Sequence, residues 1–206
     1  MGADIAVIGL WTVLSAPACA AYGVAAANRA KFEEPTASVS LLSAALIVAL
    51  ASLVVASAPT LIGALKYLVL ATTLSYLAAF DLRALAAPVT PIALITVLGL
   101  GLAFVEGDAL ERISGAVVGA GAFFAIDTVY RRIRRRSGLG LGDALVAGLI
   151  GAWLGPEALA WSVAIGGALG LAWAICRRRF DAPLPFVPAL AAGTAAYLIW
   201  RGFIPS

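Results

Sequence analysis

Apolar residues in this chain form long runs, and charged residues are largely confined to the short stretches between them. Eight apolar segments can be marked, at about Ile5–Ala27, Leu41–Ala56, Leu61–Phe80, Pro91–Val105, Ile113–Tyr130, Leu141–Leu154, Ala158–Cys176 and Leu184–Trp200. A membrane-spanning helix needs about 20 mostly apolar residues, and tilt or a thin bundle edge accommodates shorter segments. Open sheet edges do not occur in lipid, because their backbone groups would lack hydrogen-bond partners. The pattern therefore predicts an all-α integral membrane protein, a bundle of about eight transmembrane helices.

The composition indicates that nearly the whole chain lies in or against a bilayer. Of the 206 residues, 63% are hydrophobic and 12% are charged, whereas a soluble domain has about 45–50% apolar and about 25% charged residues. The mean hydropathy is +1.02. Eight closely connected helices occupy this length, so residues 1–206 are predicted to form a single polytopic membrane domain. No basic residue precedes the first apolar segment, which is therefore interpreted as a retained helix and not as a signal peptide.

The basic residues are distributed unequally between the two sides of the predicted bundle. The loops that follow the odd-numbered segments hold 11 of the 14 Lys and Arg residues, namely Arg29, Lys31, Arg83, Arg131, Arg132, Arg134, Arg135, Arg136, Arg177, Arg178 and Arg179. Because cytoplasmic loops carry an excess of Lys and Arg, these loops are predicted to be cytoplasmic and both termini to lie outside. Such clusters also contact anionic lipids, so the bilayer is a predicted partner and nucleic acid is not.

The chain offers few residues for metal or thiol chemistry. It has no histidine, and its two cysteines, Cys19 and Cys176, are isolated within apolar segments. A zinc site, a histidine-based triad and a disulfide framework are therefore unsupported, and no metal or other cofactor is predicted.

Two aspartates fall where the predicted topology brings them to the same face of the membrane. Asp81 follows the third apolar segment as it reaches the cytoplasm, and Asp143 lies at the start of the sixth, in Gly140-Leu141-Gly142-Asp143. Carboxylates near lipid are costly and mark functional sites. Two neighbouring carboxylates do not readily ionise together, so one can take a proton from water while the other stays protonated. This predicts a catalytic aspartate pair, with Gly140 and Gly142 allowing the backbone to bend and a substrate to approach.

Three ordered blocks of sequence resemble the type IV prepilin peptidases, membrane aspartic proteases that remove leader peptides from prepilins. The first block is Asp81-Leu82-Arg83 with Pro88 seven residues after the aspartate. The second is the Gly-Leu-Gly-Asp motif, followed by Gly-Ala-Trp-Leu-Gly at residues 151–155. The third, residues 184–190, is similar to the family's Pro-Phe-Gly-Pro-x-Leu. The best-matching region covers residues 76–197.

The resemblance implies a function and the residues that carry it. Asp81 and Asp143 would be the catalytic pair of a membrane-embedded aspartic endopeptidase. It would remove basic leader peptides from type IV prepilins or related pseudopilins, at the cytoplasmic face of the inner membrane. The implied substrate-positioning residues are Gly140, Gly142, Pro88, Pro185, Phe186 and Pro188.

The chain departs from the family pattern at several positions. Val89 replaces the family's frequent Asp or Asn, Leu145 replaces its frequent Lys, and Val187 replaces its Gly. These differences bear on how a substrate is positioned. Larger members carry a cysteine-rich insert after the first helix and N-methylate the new terminus. The corresponding stretch, Asn28–Ser40, has no cysteine. The chain therefore resembles a shorter form, for which methylation is not supported.

Other interpretations of the same residues remain open. Presenilin-like and signal-peptide-peptidase-like proteases also use a GxGD motif, although the Gly-Ala-Trp-Leu-Gly stretch and the short length favour a prepilin peptidase. The aspartates could instead relay protons in a coupled transporter, although a transporter more often places acidic residues near the membrane midplane. A non-enzymatic pilus or secretion assembly protein would carry them as vestiges. Asp81 could also be a helix-end charge paired with Arg83.

Some residues are predicted to have structural roles. Asp127 and Arg131 have the spacing of an ion pair at a helix end. The Gly115-x-x-x-Gly119 and Gly166-x-x-x-Gly170 patterns predict close helix packing. The tryptophans lie mostly near segment ends, as interfacial anchors would, at Trp11, Trp153, Trp161, Trp173 and Trp200.

Overall fold

The computed structural model describes residues 61–135, 140–177 and 185–202. They form five helices: α1 (Leu61–Ala84), α2 (Val89–Glu106), α3 (Ala109–Arg134), α4 (Leu141–Arg177) and α5 (Val187–Gly202). These ranges contain no strand, which confirms the all-α prediction for this part of the chain. Four of the helices, α1 to α4, are long and apolar enough to cross a membrane. The first two apolar segments and both termini lie outside the described residues, so the total of eight helices and the outside termini stay predictions.

Short-range backbone features set the helix ends in the first part of this region. Leu85 adopts a left-handed conformation directly after α1, and its N–H donates to the carbonyl oxygen of Asp81. Pro88 is extended and precedes α2, in keeping with its fixed φ and its missing N–H. Gly107, with φ of 84°, ends α2 in the left-handed conformation that glycine adopts without steric cost.

The long helix α4 contains a chain reversal at Gly155, where φ is 84° and ψ is 177°, directly before Pro156. A Cβ atom at Gly119 would lie 2.6 Å from the carbonyl oxygen of Ala147 and 2.8 Å from Cδ2 of Leu159. Twelve residues of continuous helix would separate Ala147 from Leu159 by about 18 Å. The helix thus has two arms, residues 141–154 and 156–177, and the start of the second arm, residues 156–161, runs back along the first. The division matches the separate sixth and seventh apolar segments.

The chain divides into two compact units. The first unit ends at Leu85 and resumes at Ser162, so its described part holds α1, most of the second arm of α4, and α5. In this unit α1 packs against α5. Side chains that are almost fully buried in it include Leu74, Leu77, Leu190 and Tyr197.

The second unit, Ala86–Trp161, holds α2, α3 and the first arm of α4. A Cβ atom at Gly115 of α3 would lie 2.6 Å from the carbonyl oxygen of Gly151. Together with the close approach of Gly119 to Ala147, this places the backbones of α3 and α4 in direct contact. The packing role predicted for Gly115 and Gly119 is confirmed. In the first unit, Gly166 likewise lies against the backbone of Ala189.

Trp153 differs from its predicted role as an interfacial anchor. It is 3% exposed, and its indole Nε1 donates a hydrogen bond of 2.8 Å to the carbonyl oxygen of Ile95 in α2. A Cβ atom at Gly99 would lie 2.5 Å from this nitrogen, so the missing side chain provides the space for the indole. The prediction was wrong because proximity to a segment end does not show which side of the helix a residue occupies. Trp161, Trp173 and Trp200 are about half exposed.

Candidate active site

Asp81 lies in the last turn of α1 and is 5% exposed. Its Oδ2 accepts a hydrogen bond of 3.1 Å from the backbone N–H of Val187, the first residue of α5. The N–H of Leu190 donates to the carbonyl oxygen of Phe186, which places Phe186 at the N-cap of α5. The first and third sequence blocks therefore meet at one helix start. The unpaired N–H groups and the dipole at a helix N-terminus stabilise a carboxylate there.

The prolines of the third block suit this helix start. Pro188 is the second residue of α5, where the absence of an N–H removes no bond within the helix. Pro185 precedes the N-cap in non-helical backbone. Phe186 and Pro188 are half-buried, whereas Val187 is 1% exposed. The predicted positioning residues Pro185, Phe186 and Pro188 thus form the turn that presents the Val187 N–H to Asp81.

Asp143 occupies the start of α4, and its side chain closes a local hydrogen-bonded turn. Its Oδ2 accepts a bond of 2.9 Å from the N–H of Gly140, and its own N–H donates to the carbonyl oxygen of Gly140 at 3.1 Å. A third-position side chain that reaches back to the N-cap N–H is half of a capping box. The spacing in Gly-x-Gly-Asp therefore follows from helix geometry, and it leaves Asp143 half-buried at the helix start.

The two glycines of this motif differ in how crowded they are. A Cβ atom at Gly142 would lie 2.7 Å from Cβ and 3.1 Å from the backbone N of Ala87. A Cβ atom at Gly140 would lie in ordinary contact, 3.5 Å from Asp143 Oδ2. The absence of a side chain at Gly142 therefore lets the start of α4 pack against Ala87, the residue before Pro88. This contact brings the end of the first sequence block next to the second. The predicted role of both glycines in substrate approach stays a prediction.

The two aspartates belong to different units, Asp81 to the first and Asp143 to the second. Within its own unit, each carboxylate accepts a backbone N–H at the start of a helix. The pairing of the two side chains stays a prediction.

The sequence suggests ion-pair partners for two further charged groups, Asp127 and Arg83. Asp127, 7% exposed, forms an ion pair of 2.6 Å with Arg131, which confirms the pair predicted at the end of α3. Arg83 is the alternative partner that the sequence offers for Asp81, and its buried Nε makes no hydrogen bond. Within residues 61–135, 140–177 and 185–202, no three His, Cys, Asp or Glu side chains group as metal ligands would.

The sequence alone did not indicate the hydrogen bond from the Val187 N–H or the contact with Ala87. Every residue except proline has a backbone N–H, so the amino-acid sequence does not show which N–H acts as a donor. Residue 187 is notable in the sequence only because valine replaces the family's usual glycine. Ala87 carries no functional group, and it contributes only a small side chain that packs beside Gly142.

Comparison with known proteins shows that this part of the chain is similar to leader peptidases. Residues 68–175, slightly more than half of the chain, match the sequence model of the type IV leader peptidase family. The prepilin leader peptidase/N-methyltransferase of Burkholderia pseudomallei (strain 1026b) is 40% identical over 91 residues, which cover 42% of this chain and 29% of that protein. The type 4 prepilin-like proteins leader peptide-processing enzyme of Escherichia coli O78:H11 (strain H10407 / ETEC) is 33% identical over 86 residues, covering 42% and 32%.

The prepilin leader peptidase/N-methyltransferase of Pectobacterium carotovorum subsp. carotovorum is 33% identical over 118 residues, covering 53% of this chain and 42% of that protein. The chain thus spans less than half the length of these relatives. No solved structure matches it significantly.

Proposed function

We propose that this chain, which belongs to the type IV leader peptidase family, is a membrane-embedded aspartic endopeptidase that removes the basic leader peptide from type IV prepilins or related pseudopilins. The observation that carries this proposal is the family match over residues 68–175, which includes both Asp81 and Asp143. The hydrogen bonds at the two helix starts support it, because each holds one carboxylate in a defined orientation.

In the proposed mechanism the two aspartates share one proton. The ionised carboxylate takes a proton from the attacking water, and the protonated carboxyl group donates a hydrogen bond to the carbonyl oxygen of the scissile peptide. Collapse of the tetrahedral intermediate then releases the leader peptide as the nitrogen of the new N-terminus takes up a proton. The reaction needs no metal or cofactor, and none is proposed.

We place the enzyme in the cytoplasmic membrane as a multi-pass protein with its active site at the cytoplasmic face. Four apolar helices of spanning length support the multi-pass arrangement. The distribution of basic residues supports the orientation, because 11 of the 14 Lys and Arg residues fall at or between the ends of apolar segments on one predicted side. Arg131, Arg132 and Arg135 are exposed at the end of α3, where they can contact anionic lipid headgroups.

Cysteine labelling tests this orientation. In a background without Cys19 and Cys176, a cysteine at Ser137 or at Ala182 should react only with reagents that reach the cytoplasm. A cysteine in place of the exposed Glu106, at the end of α2, is the matched control and should react from the outside. Labelling of position 137 from the outside would contradict both the orientation and the cytoplasmic active site.

A cleavage assay tests the activity itself. The chain in detergent is mixed with a substrate that carries a short basic leader, a glycine and an apolar helix, and the product is identified by mass. We expect cleavage just before the apolar helix, without an ion gradient. A proton-coupled transporter or an assembly protein would leave the substrate intact under these conditions.

We also propose that the chain cleaves without methylating its product. Two of the relatives described above are named prepilin leader peptidase/N-methyltransferase, but residues 28–40 lack the cysteines of the insert found in larger members. In cells with this chain as the sole leader peptidase, the processed substrate should carry an unmodified N-terminal amine. A mass increase of about 14 Da that depends on this chain would overturn the proposal, and a bifunctional relative serves as the positive control.

A further inference from the structure

The position of Asp81 is electrostatically unfavourable within its own helix. It lies in the last turn of α1, where the carbonyl groups and the helix dipole present negative charge. The backbone carbonyl of Asp81 already accepts a bond from Leu85. A carboxylate that is 5% exposed has little access to water for compensation. Another element must therefore stabilise it in the orientation that the structure shows.

The start of α5 supplies that stabilisation. Because α1 packs on α5, the positive end of α5 meets the negative end of α1 at Asp81. The first turn of α5 offers few donors, since Pro188 has no N–H. One donor that this turn supplies to Oδ2 of Asp81 is the N–H of Val187, at 3.1 Å.

We propose that the backbone N–H of Val187 is a positioning group for the reaction, holding the Asp81 carboxylate in its productive orientation. This inference rests on the proposed peptidase function. It also gives a physical reason why this chain can carry Val187 where the family often has glycine. The contact uses the main chain, so any residue that retains an N–H can make it.

The structure permits a substitution that removes this donor with little other change. Val187 is the first residue of α5, the helix position at which proline is most readily accepted. The preceding residue, Phe186, is outside the helix, and residues before proline favour non-helical conformations. Val187→Pro therefore deletes the N–H, whereas Val187→Ala shortens the buried side chain and keeps the N–H.

The experiment measures kcat and KM for cleavage of a prepilin substrate by the full chain in detergent. For Val187→Pro we expect kcat to fall roughly 10- to 100-fold, as for the loss of one hydrogen bond to a charged group. KM should stay within about threefold, because Asp81 acts on the scissile peptide and does not hold the leader. Val187→Ala should retain kcat within about threefold.

Two results would overturn the inference: an unchanged kcat in Val187→Pro, or an equal loss in Val187→Ala, which would assign the effect to side-chain packing. If Val187→Pro does not fold, an ester in place of the 186–187 amide removes the same N–H and keeps the valine side chain. The expected fall in kcat applies to it equally.

Asp81→Asn is measured in parallel to separate the two proposals. If this variant still cleaves, the proposed function fails. If it is inactive and neither the proline nor the ester variant loses kcat, only the role of Val187 fails.

Discussion

Asp81→Asn and Asp143→Asn are each expected to abolish prepilin cleavage while the protein still folds and inserts into the membrane. Asparagine keeps a side-chain oxygen that can accept the N–H of Val187 at position 81 or the N–H of Gly140 at position 143. It cannot ionise, and it cannot act as the acid. The chain has no histidine to take over either task.

The loss should amount to several orders of magnitude in kcat/KM. General acid–base catalysis alone contributes roughly 10²- to 10⁴-fold, and the proposed pair also orients the water and the carbonyl group. The two losses should not multiply in the double variant, because two groups that share one proton act as a unit. Cleavage at a near wild-type rate by either single variant would show that the protein is not an aspartic protease that uses this pair. The transporter or assembly interpretation would then be favoured.

Asp127→Asn is the matched control for these variants. Asp127 is a third aspartate, buried near the end of α3, and it forms an ion pair with Arg131 one turn later in the same helix. The side chain of Arg131 is 55% exposed, so water can solvate it when its partner is neutralised. We expect this variant to retain most of the activity. A loss as large as that of the catalytic variants would move Asp127 into the active site.

The hydropathy pattern located the helices well but placed some of their ends too early or too late. The third apolar segment ends at Phe80, whereas α1 continues to Ala84 and includes Asp81. The fifth apolar segment extends from Ile113 to Tyr130, whereas α3 runs from Ala109 to Arg134. Hydropathy detects where lipid-compatible side chains end, but the helical hydrogen bonds continue through charged residues. They stop where backbone geometry changes, as at Leu85 and Gly107.

The active site, like the helices, was only partly predictable from the sequence. The sequence identified the two aspartates as candidates, because carboxylates are rare beside lipid and because the surrounding motifs resemble a known family. It did not reveal the hydrogen bond from Val187 to Asp81, because this donor is a main-chain group 106 residues away. Contacts of this kind depend on which helices pack together, and periodicity along one segment contains no information on its neighbours.

The glycines of α3 give a second large expected effect, on stability. Gly115→Ala should destabilise the protein, because the three atoms nearest to the added Cβ would all be backbone atoms. It would lie 2.6 Å from the carbonyl oxygen of Gly151, 2.9 Å from the carbonyl carbon of Gly155 and 3.0 Å from the nitrogen of Pro156. Backbone atoms of a packed arm cannot rotate away as a side chain can. Overpacking of this kind costs about 1–3 kcal/mol, and thermal unfolding in detergent would measure it.

Gly121→Ala on the same helix is the matched control, because a Cβ atom there would meet nothing within 4 Å. Alanine is favoured over glycine in a helix interior by about 0.8–1 kcal/mol, so this variant should be neutral or more stable. The same intrinsic gain applies at position 115, and any destabilisation there is therefore due to the contact with α4. Equal stability of the two variants would contradict the close approach of α3 to the reversal at Gly155. Because Asp143 begins the arm that Gly115 contacts, Gly115→Ala should also reduce cleavage more than Gly121→Ala does.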